Sequence, residues 1–201
     1  AALAEAWDAV VLGPGLGRAA ATRRFARSAF LLDRPLVIDA DALFALVGHT
    51  KTLGRRDAAT VITPHEGEAG RLLDRPSRSV RMDREASALE LAAATGSVVV
   101  LKGPGTIVTD GERLFTCKAG GPWLATGGTG DVLAGVCGAL LAGLPATGGD
   151  HFGAACAAVH AHALAGDRAA AGRDRGLLAS DVADALPDAV ATLVEKRRGR
   201  P

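Results

Sequence analysis

Short, nearly unbroken apolar runs recur along the first half of the chain, and apolar positions at helical spacing fill the stretches between them. Ala9-Val10-Val11-Leu12 predicts a buried strand, ended by Gly13-Pro14-Gly15-Leu16-Gly17. Arg18 to Leu32 predicts a helix, with apolar residues at helical spacing and arginines on the other face. Pro35 to Asp39 is the next strand, and Asp41 to Val47 a short helix with Asp41 as candidate N-cap. Thr60 to Thr63 is a third strand, stopped by Pro64 and followed by a helix from Glu66 to Leu73. Another helix, Asp83 to Ala94, closes at Gly96, a C-terminal signal. Ser97 to Leu101 is a fourth buried strand, and Thr106 to Thr109 with Arg113 to Thr116 forms a hairpin through Asp110-Gly111. The remainder reads as helical over Gly130 to Ala142, Phe152 to Ala165 and Ser180 to Val194, with Arg168 to Arg175 the most loop-like stretch.

Apolar strands separated by helices predict an α/β fold with a mostly parallel sheet covered on both faces. Ligands of such sheets bind beyond the carboxyl ends of the strands. Four strands end there in chemistry-bearing residues: Gly13 to Gly17, Asp39 and Asp41, His65 to Glu68, and Lys102 to Thr106. That clustering points to a ligand site more strongly than any one motif does.

Composition narrows the classes. At 201 residues the chain fits one domain, 1–201, with a proper core. Apolar residues make up 48% but aromatics only 3%, so the core is built from Ala, Val and Leu. A net charge of +1 gives no footprint for nucleic acid, and the basic run Lys196 to Arg200 reads as a solvated terminus. No segment reaches the roughly 20 apolar residues needed to span a bilayer, so no membrane association is expected. Cys117, Cys137 and Cys156 match no metal or redox spacing, and the latter two read as small core residues. Ala1 to Asp8 lacks the pattern of a signal peptide, and a cytoplasmic setting is expected.

The densest candidate is Thr126-Gly127-Gly128-Thr129-Gly130-Asp131, running into an apolar helix. Glycines leave backbone amides unshielded, and a helix start adds unpaired donors and a positive dipole end, which together suit phosphate oxygens. Asp131, the single carboxylate there, can serve as a base toward a hydroxyl facing the phosphate; it equally reads as a favourable first-turn acid. Gly13 to Gly17 reads as a tight turn or as a close approach of ligand to backbone, and it lacks the dinucleotide fingerprint. In Pro64 to Glu68, His65 is a candidate donor to a substrate and Glu68 a candidate to hold a hydrated Mg²⁺. Lys102, with Gly103, Pro104, Gly105 and Thr106, offers an ammonium and exposed backbone to a phosphate without being a Walker A loop. Asp39 and Asp41 read as a paired carboxylate site or, for Asp41, a helix cap. His160 and His162 lie on different helix faces and read as structural.

Assembled in order, these residues resemble the ADP/ATP-dependent NAD(P)H-hydrate dehydratases, the carbohydrate-kinase-like branch of the ribokinase-like fold. The resemblance runs from Gly13-Pro14-Gly15-Leu16-Gly17 through Val37 to Leu43, Thr63 to Glu68 and Leu101 to Thr106 to Ala125 to Gly135. It implies a three-layer α/β/α fold and repair of hydrated NADH or NADPH (NADHX, NADPHX), with ADP or ATP as co-substrate and Mg²⁺ as cofactor. It further implies nucleotide binding by Lys102, Gly103, Pro104, Gly105, Thr106, Gly128, Thr129 and Gly130. The hydrate would meet Gly15, Gly17, His65 and Asp131, with Asp131 the catalytic base. This branch often associates, so a homo-oligomer is implied. Gly121-Pro122-Trp123-Leu124 stands where the family often carries Asn-Pro-Gly-Met. The chain opens at a strand internal in the family, so an N-terminal segment has no counterpart and one sheet edge is expected to be exposed. A small-molecule kinase of the same fold and a truncated, non-catalytic nucleotide-binding module are the alternatives.

Overall fold

The computed structural model describes residues 7–144, 150–172 and 176–198. Six strands form one sheet in chain order: β1 (Val10–Leu12), β2 (Leu36–Ile38), β3 (Thr60–Ile62), β4 (Val98–Leu101), β5 (Ile107–Thr109) and β6 (Leu114–Thr116). The first four are parallel, and β5 and β6 return antiparallel as the expected hairpin. The helices are α1 (Ala20–Ala29), α2 (Ala40–Leu46), α3 (Glu66–Leu72), α4 (Ser77–Met82), α5 (Arg84–Thr95), α6 (Thr129–Ala142), α7 (His151–Ala170) and α8 (Ala179–Arg198).

The strand order explains the layers. Parallel crossovers are right-handed, and strands added in one direction without reversal send every crossover to the same face. Residues of α1 to α5, including Ala26, Leu43, Ala69, Val80 and Leu91, therefore pack in one core with Leu36, Ile38, Val99 and Leu101. The opposite face falls to the C-terminal half, where Leu133, Cys137, Ala155 and Ala158 of α6 and α7 cover Val37, Val61, Val98 and Val100. Alternate residues of β2, β3 and β4 thus feed opposite faces, and both sets are buried. That is why these strands read as unbroken apolar runs. Each such side chain contributes about 1.5–3 kcal/mol by its burial. Helix α8 packs outside, with Val182 and Ala189 against Ala165 of α7.

Several boundaries moved. Helix α1 is shorter than Arg18–Leu32, because Leu31 and Leu32 tighten into bonds to Ser28 and Ala29. Helix α7 runs through Arg168 to Ala170, with Ala170 buried, so the expected loop starts later. Residues 173–175 of that loop, and residues 199–201 of the basic tail, lie outside the described residues. Helix α4 and short 3₁₀ turns at Thr50–Arg55 and Pro122–Leu124 were not expected. Strand β1 pairs only with β2 among the described residues, and its Val11 is 39% exposed, as expected for an open sheet edge. No described helix is long and apolar enough to cross a membrane.

Candidate active site at the carboxyl edge of the sheet

The four parallel strands deliver the four rim motifs to one edge. Gly13 follows β1 at φ 128°, and a Cβ there would lie 1.8 Å from the Asp39 carbonyl oxygen. Only glycine lets the two strand ends meet so closely. Lys102 follows β4, and its amide donates to the Pro64 carbonyl at 2.8 Å, which sets His65 beside Lys102.

At the centre, Lys102 Nζ lies 2.6 Å from Asp39 Oδ1 and 3.9 Å from Glu68 Oε2. The Asp39 side chain is 1% exposed and that of Lys102 20%. A buried carboxylate needs such a partner, because its desolvation is otherwise uncompensated. Helix α6 begins directly over this pair. A Cβ on Gly130 would sit 3.3 Å from Lys102 Nζ and 3.8 Å from Asp39 Oδ2, so the helix start presses its backbone onto the ions.

The two aspartates, read as a carboxylate pair or with Asp41 as a helix cap, face different partners. Asp41 accepts hydrogen bonds from the Gly17 amide at 2.9 Å and from Arg18 Nε at 2.6 Å. The Arg18 bond holds its carboxyl below the usual range against the opposing effect of burial, with a smaller contribution from the Gly17 amide. Asp41 is not the N-cap of α2. Asp39 occupies that position, yet makes no cap bond because Lys102 takes its carboxylate. Between them Ala40 adopts φ 48°, a left-handed backbone that costs an alanine about 1–2 kcal/mol.

His65 is the N-cap of α3. Its Nδ1 accepts from the amides of Gly67 at 2.9 Å and Glu68 at 3.3 Å, and Glu68 Oε2 accepts from the His65 amide at 2.8 Å. This reciprocal capping box fixes the tautomer of the neutral ring: Nδ1 is the acceptor, so Nε2 carries the proton. The half-exposed ring therefore presents a donor at the rim. Glu68 is buried, with one oxygen given to the His65 amide. No three His, Cys, Asp or Glu side chains converge to hold a metal among the described residues. A single carboxylate holds an ion only where the ion keeps most of its waters, the usual habit of Mg²⁺.

The glycine loop before α6 is tied from inside. Thr129 Oγ1 lies 2.7 Å from the Leu124 carbonyl and 2.8 Å from that of Thr126, so its single proton is shared with backbone. Buried His162 of α7 lies with Nε2 2.9 Å from the Thr129 carbonyl. Burial pushes its pKa down, leaving a neutral ring that donates Nε2–H to that carbonyl. The amides of Gly127, Gly128, Gly130 and Asp131 make no backbone hydrogen bond among the described residues. Asp131 is exposed in the first turn of α6 and has no hydrogen-bond or ion-pair partner among the described residues.

Gly15 is exposed with nothing within 4 Å of its Cβ position, which leaves its backbone approachable. The Gly17 amide is already given to Asp41, so Gly17 shapes the turn. Gly103, Pro104 and Gly105 are exposed, and Thr106 Oγ1 donates back to the Gly103 carbonyl at 3.2 Å. His162, read from the sequence as structural, braces the glycine loop, whereas Arg84, which donates to the Leu101, Pro104 and Gly105 carbonyls, was not singled out. No local signal marks either, because each acts across a long sequence separation.

Comparison with known proteins agrees with this geometry. Residues 1–188 match the carbohydrate-kinase-type family described as NAD(P)H-hydrate dehydratase. The bifunctional NAD(P)H-hydrate repair enzyme of Vibrio cholerae is 44% identical over 177 residues, covering 87% of this chain and 34% of that protein. The ADP-dependent (S)-NAD(P)H-hydrate dehydratase of Neisseria meningitidis is 40% identical over 187 residues, covering 90% of this chain and 61% of that protein. The chain thus spans 34% to 61% of the length of these two relatives. An ADP/ATP-dependent NAD(P)H-hydrate dehydratase from Bacillus subtilis, co-crystallised with ATP and Mg²⁺, superposes with a TM-score of 0.81 at 28% identity, covering 94% of this chain and 68% of that one. A ribokinase-like superfamily protein from Enterococcus faecalis gives a TM-score of 0.75 at 28% identity, covering 93% of this chain and 64% of that one, so the expected fold class holds. On the match of residues 1–188 and on these identities, the chain belongs to the NAD(P)H-hydrate dehydratase family.

Proposed function

We propose that this chain carries an ADP- or ATP-driven dehydratase activity that returns the S form of hydrated NADH or NADPH to the reduced dinucleotide. The observation that carries the reading is Asp131: an exposed carboxylate, unpartnered among the described residues, beside free amides at the start of α6, directly over Lys102. The (S) stereochemistry and the nucleotide follow the Neisseria meningitidis and Bacillus subtilis relatives.

Amides of Gly128 and Gly130, with the positive end of the α6 dipole, receive phosphate oxygens, and the Lys102–Thr106 loop borders the nucleotide. Thr129 holds that turn in shape through its hydroxyl proton, shared between two carbonyls. Lys102 has three N–H donors and gives one to Asp39, which leaves donors for a phosphate oxygen. Mg²⁺ when bound would supply charge neutralisation on the phosphates, and Glu68 would hold it through water. His65 Nε2–H and the open backbone at Gly15 face the hydrate, with Gly17 shaping that turn.

Asp131 takes the proton of the ring hydroxyl as its oxygen bonds to the terminal phosphorus and the bond from phosphorus to the nucleotide oxygen breaks. The new phosphate group then leaves with its bonding pair, and the neighbouring ring carbon gives up a proton to restore the double bond. Positioning and charge stabilisation carry such a transfer, with no covalent enzyme intermediate.

The test is incubation of the whole protein with hydrate, nucleotide and Mg²⁺, following the reduced-nicotinamide absorbance. Recovery of that band is expected. A folded, nucleotide-binding protein that yields no recovery refutes the reading, and accumulation of a stable phosphate ester instead reassigns the chain as a kinase.

A further inference from the structure

We infer that Arg84 is a positioning residue that turns the backbone of the Lys102–Thr106 loop so that its amides face the nucleotide. The inference rests on the assignment of that loop to the nucleotide above. Arg84 opens α5, and its side chain is 15% exposed. Its Nη1 donates to the Pro104 carbonyl and, at 3.3 Å, to that of Gly105, while Nη2 donates to the Leu101 carbonyl at 3.1 Å. One planar guanidinium thus gathers three carbonyls of a single loop.

The consequence follows from peptide geometry. In a trans peptide the C=O of one residue and the N–H of the next point in opposite directions. Drawing the Pro104 and Gly105 carbonyls to Arg84 turns the amides of Gly105 and Thr106 the other way. Neither amide makes a hydrogen bond among the described residues. Two free amides, side by side and pointing off an exposed loop, form an anion-accepting edge. Gly103 fits the same scheme: a Cβ there would lie 2.8 Å from Arg84 Nη2, so the residue beside Lys102 must be glycine for the guanidinium to seat.

Arg84 also reaches the neighbouring motif. Its Nε lies 3.5 Å from Glu66 Oε1, in the first turn of α3, one residue after the His65 cap. The other oxygen of Glu66 takes Arg81 Nε at 2.7 Å. With Nη1 and Nη2 on backbone carbonyls and Nε beside Glu66 without a hydrogen bond, Arg84 acts on the ligand through the loop.

The experiment measures ADP and ATP affinity by calorimetry, and nucleotide KM against kcat, for the whole protein and its Arg84→Ala and Arg84→Lys variants. Loss of the charge-assisted bonds should weaken nucleotide affinity and raise KM about 10-fold or more, with kcat within about 3-fold of the parent. Lysine keeps the charge but not the fork, so Arg84→Lys should fold like the parent and still show raised KM. Added guanidinium ion should restore affinity to Arg84→Ala, which a role in stability alone does not predict. Arg81→Ala, which removes only the exposed partner of Glu66, should leave KM unchanged. If Arg84→Ala fails to fold, the Arg84→Lys measurement decides. A parent that binds and turns over, with Arg84 variants of unchanged nucleotide KM, overturns this inference alone. A parent that neither binds nucleotide nor turns over the hydrate overturns the functional reading and this inference with it.

Discussion

Replacing Asp39 with asparagine removes one charge from the ion pair beneath α6, and its effect can be bounded from the structure. Asp39 is almost fully buried and lies 2.6 Å from Lys102 Nζ. Breaking a buried pair by removing one partner costs about 3–5 kcal/mol, because the other charge is left uncompensated. Two features reduce the penalty here. Lys102 keeps 20% of its side-chain exposure, and Glu68 Oε2 remains 3.9 Å away as a second partner. A loss of about 2–3 kcal/mol is therefore expected for Asp39→Asn. For a domain of this size that corresponds to a fall in Tm of roughly 5–10 °C. Urea unfolding at neutral pH, with the slope of the transition unchanged, reads the loss directly. The double variant Asp39→Asn with Lys102→Met should recover at least half of it, since the stranded ammonium is gone. A single variant within about 0.5 kcal/mol of the parent would show that water already reaches the pair, and the argument for a buried ionic floor fails.

Asp131→Asn should lower turnover at least about 100-fold, the scale of a lost general base, while nucleotide affinity stays within about 3-fold. Calorimetry with ADP beside the hydrate assay checks both, and a parallel loss of binding would reassign Asp131 to holding the loop. His162 predicts a pH effect. Burial holds its pKa below 6.5, so the unfolded chain takes up the proton first as the solution is acidified. The stability contributed by the neutral ring is complete above pH 6.5 and is lost as pH falls toward the lower folded value. Urea midpoints compared across that window should fall more steeply for the parent than for His162→Gln; equal slopes would refute the assignment.

Much of the architecture could be read from pattern because burial imposes it. Strands such as Val98–Leu101 are covered on both faces, so all their residues are apolar and the run is unmistakable. The rim motifs were readable for a related reason: once the strands are placed, everything following them falls on one edge. Helix α4 escaped notice because only Val80 of its six residues is buried, which leaves no periodicity to see. Pairings across the sheet were also hidden. Lys102 meets Asp39 over 63 positions, and Arg84 meets Leu101 over 17. His65 was read as a donor to a substrate, and its capping of α3 through Nδ1 was invisible because histidine is an uncommon cap. Gly17 was expected to face substrate, and its commitment to Asp41 depends on a turn that spacing alone does not define.

The sequential strand order has a consequence for how binding and folding are joined. One layer of helices comes from residues ahead of the hairpin, the other from residues beyond it, and Gly130 of the later half rests on Lys102 and Asp39 of the earlier half. Neither half alone contains the proposed anion socket; it would come into being where they are pressed together. On the proposed function, a nucleotide seated there would work as a clasp across a seam, and the energy of its binding would also hold the two halves of the polypeptide closed.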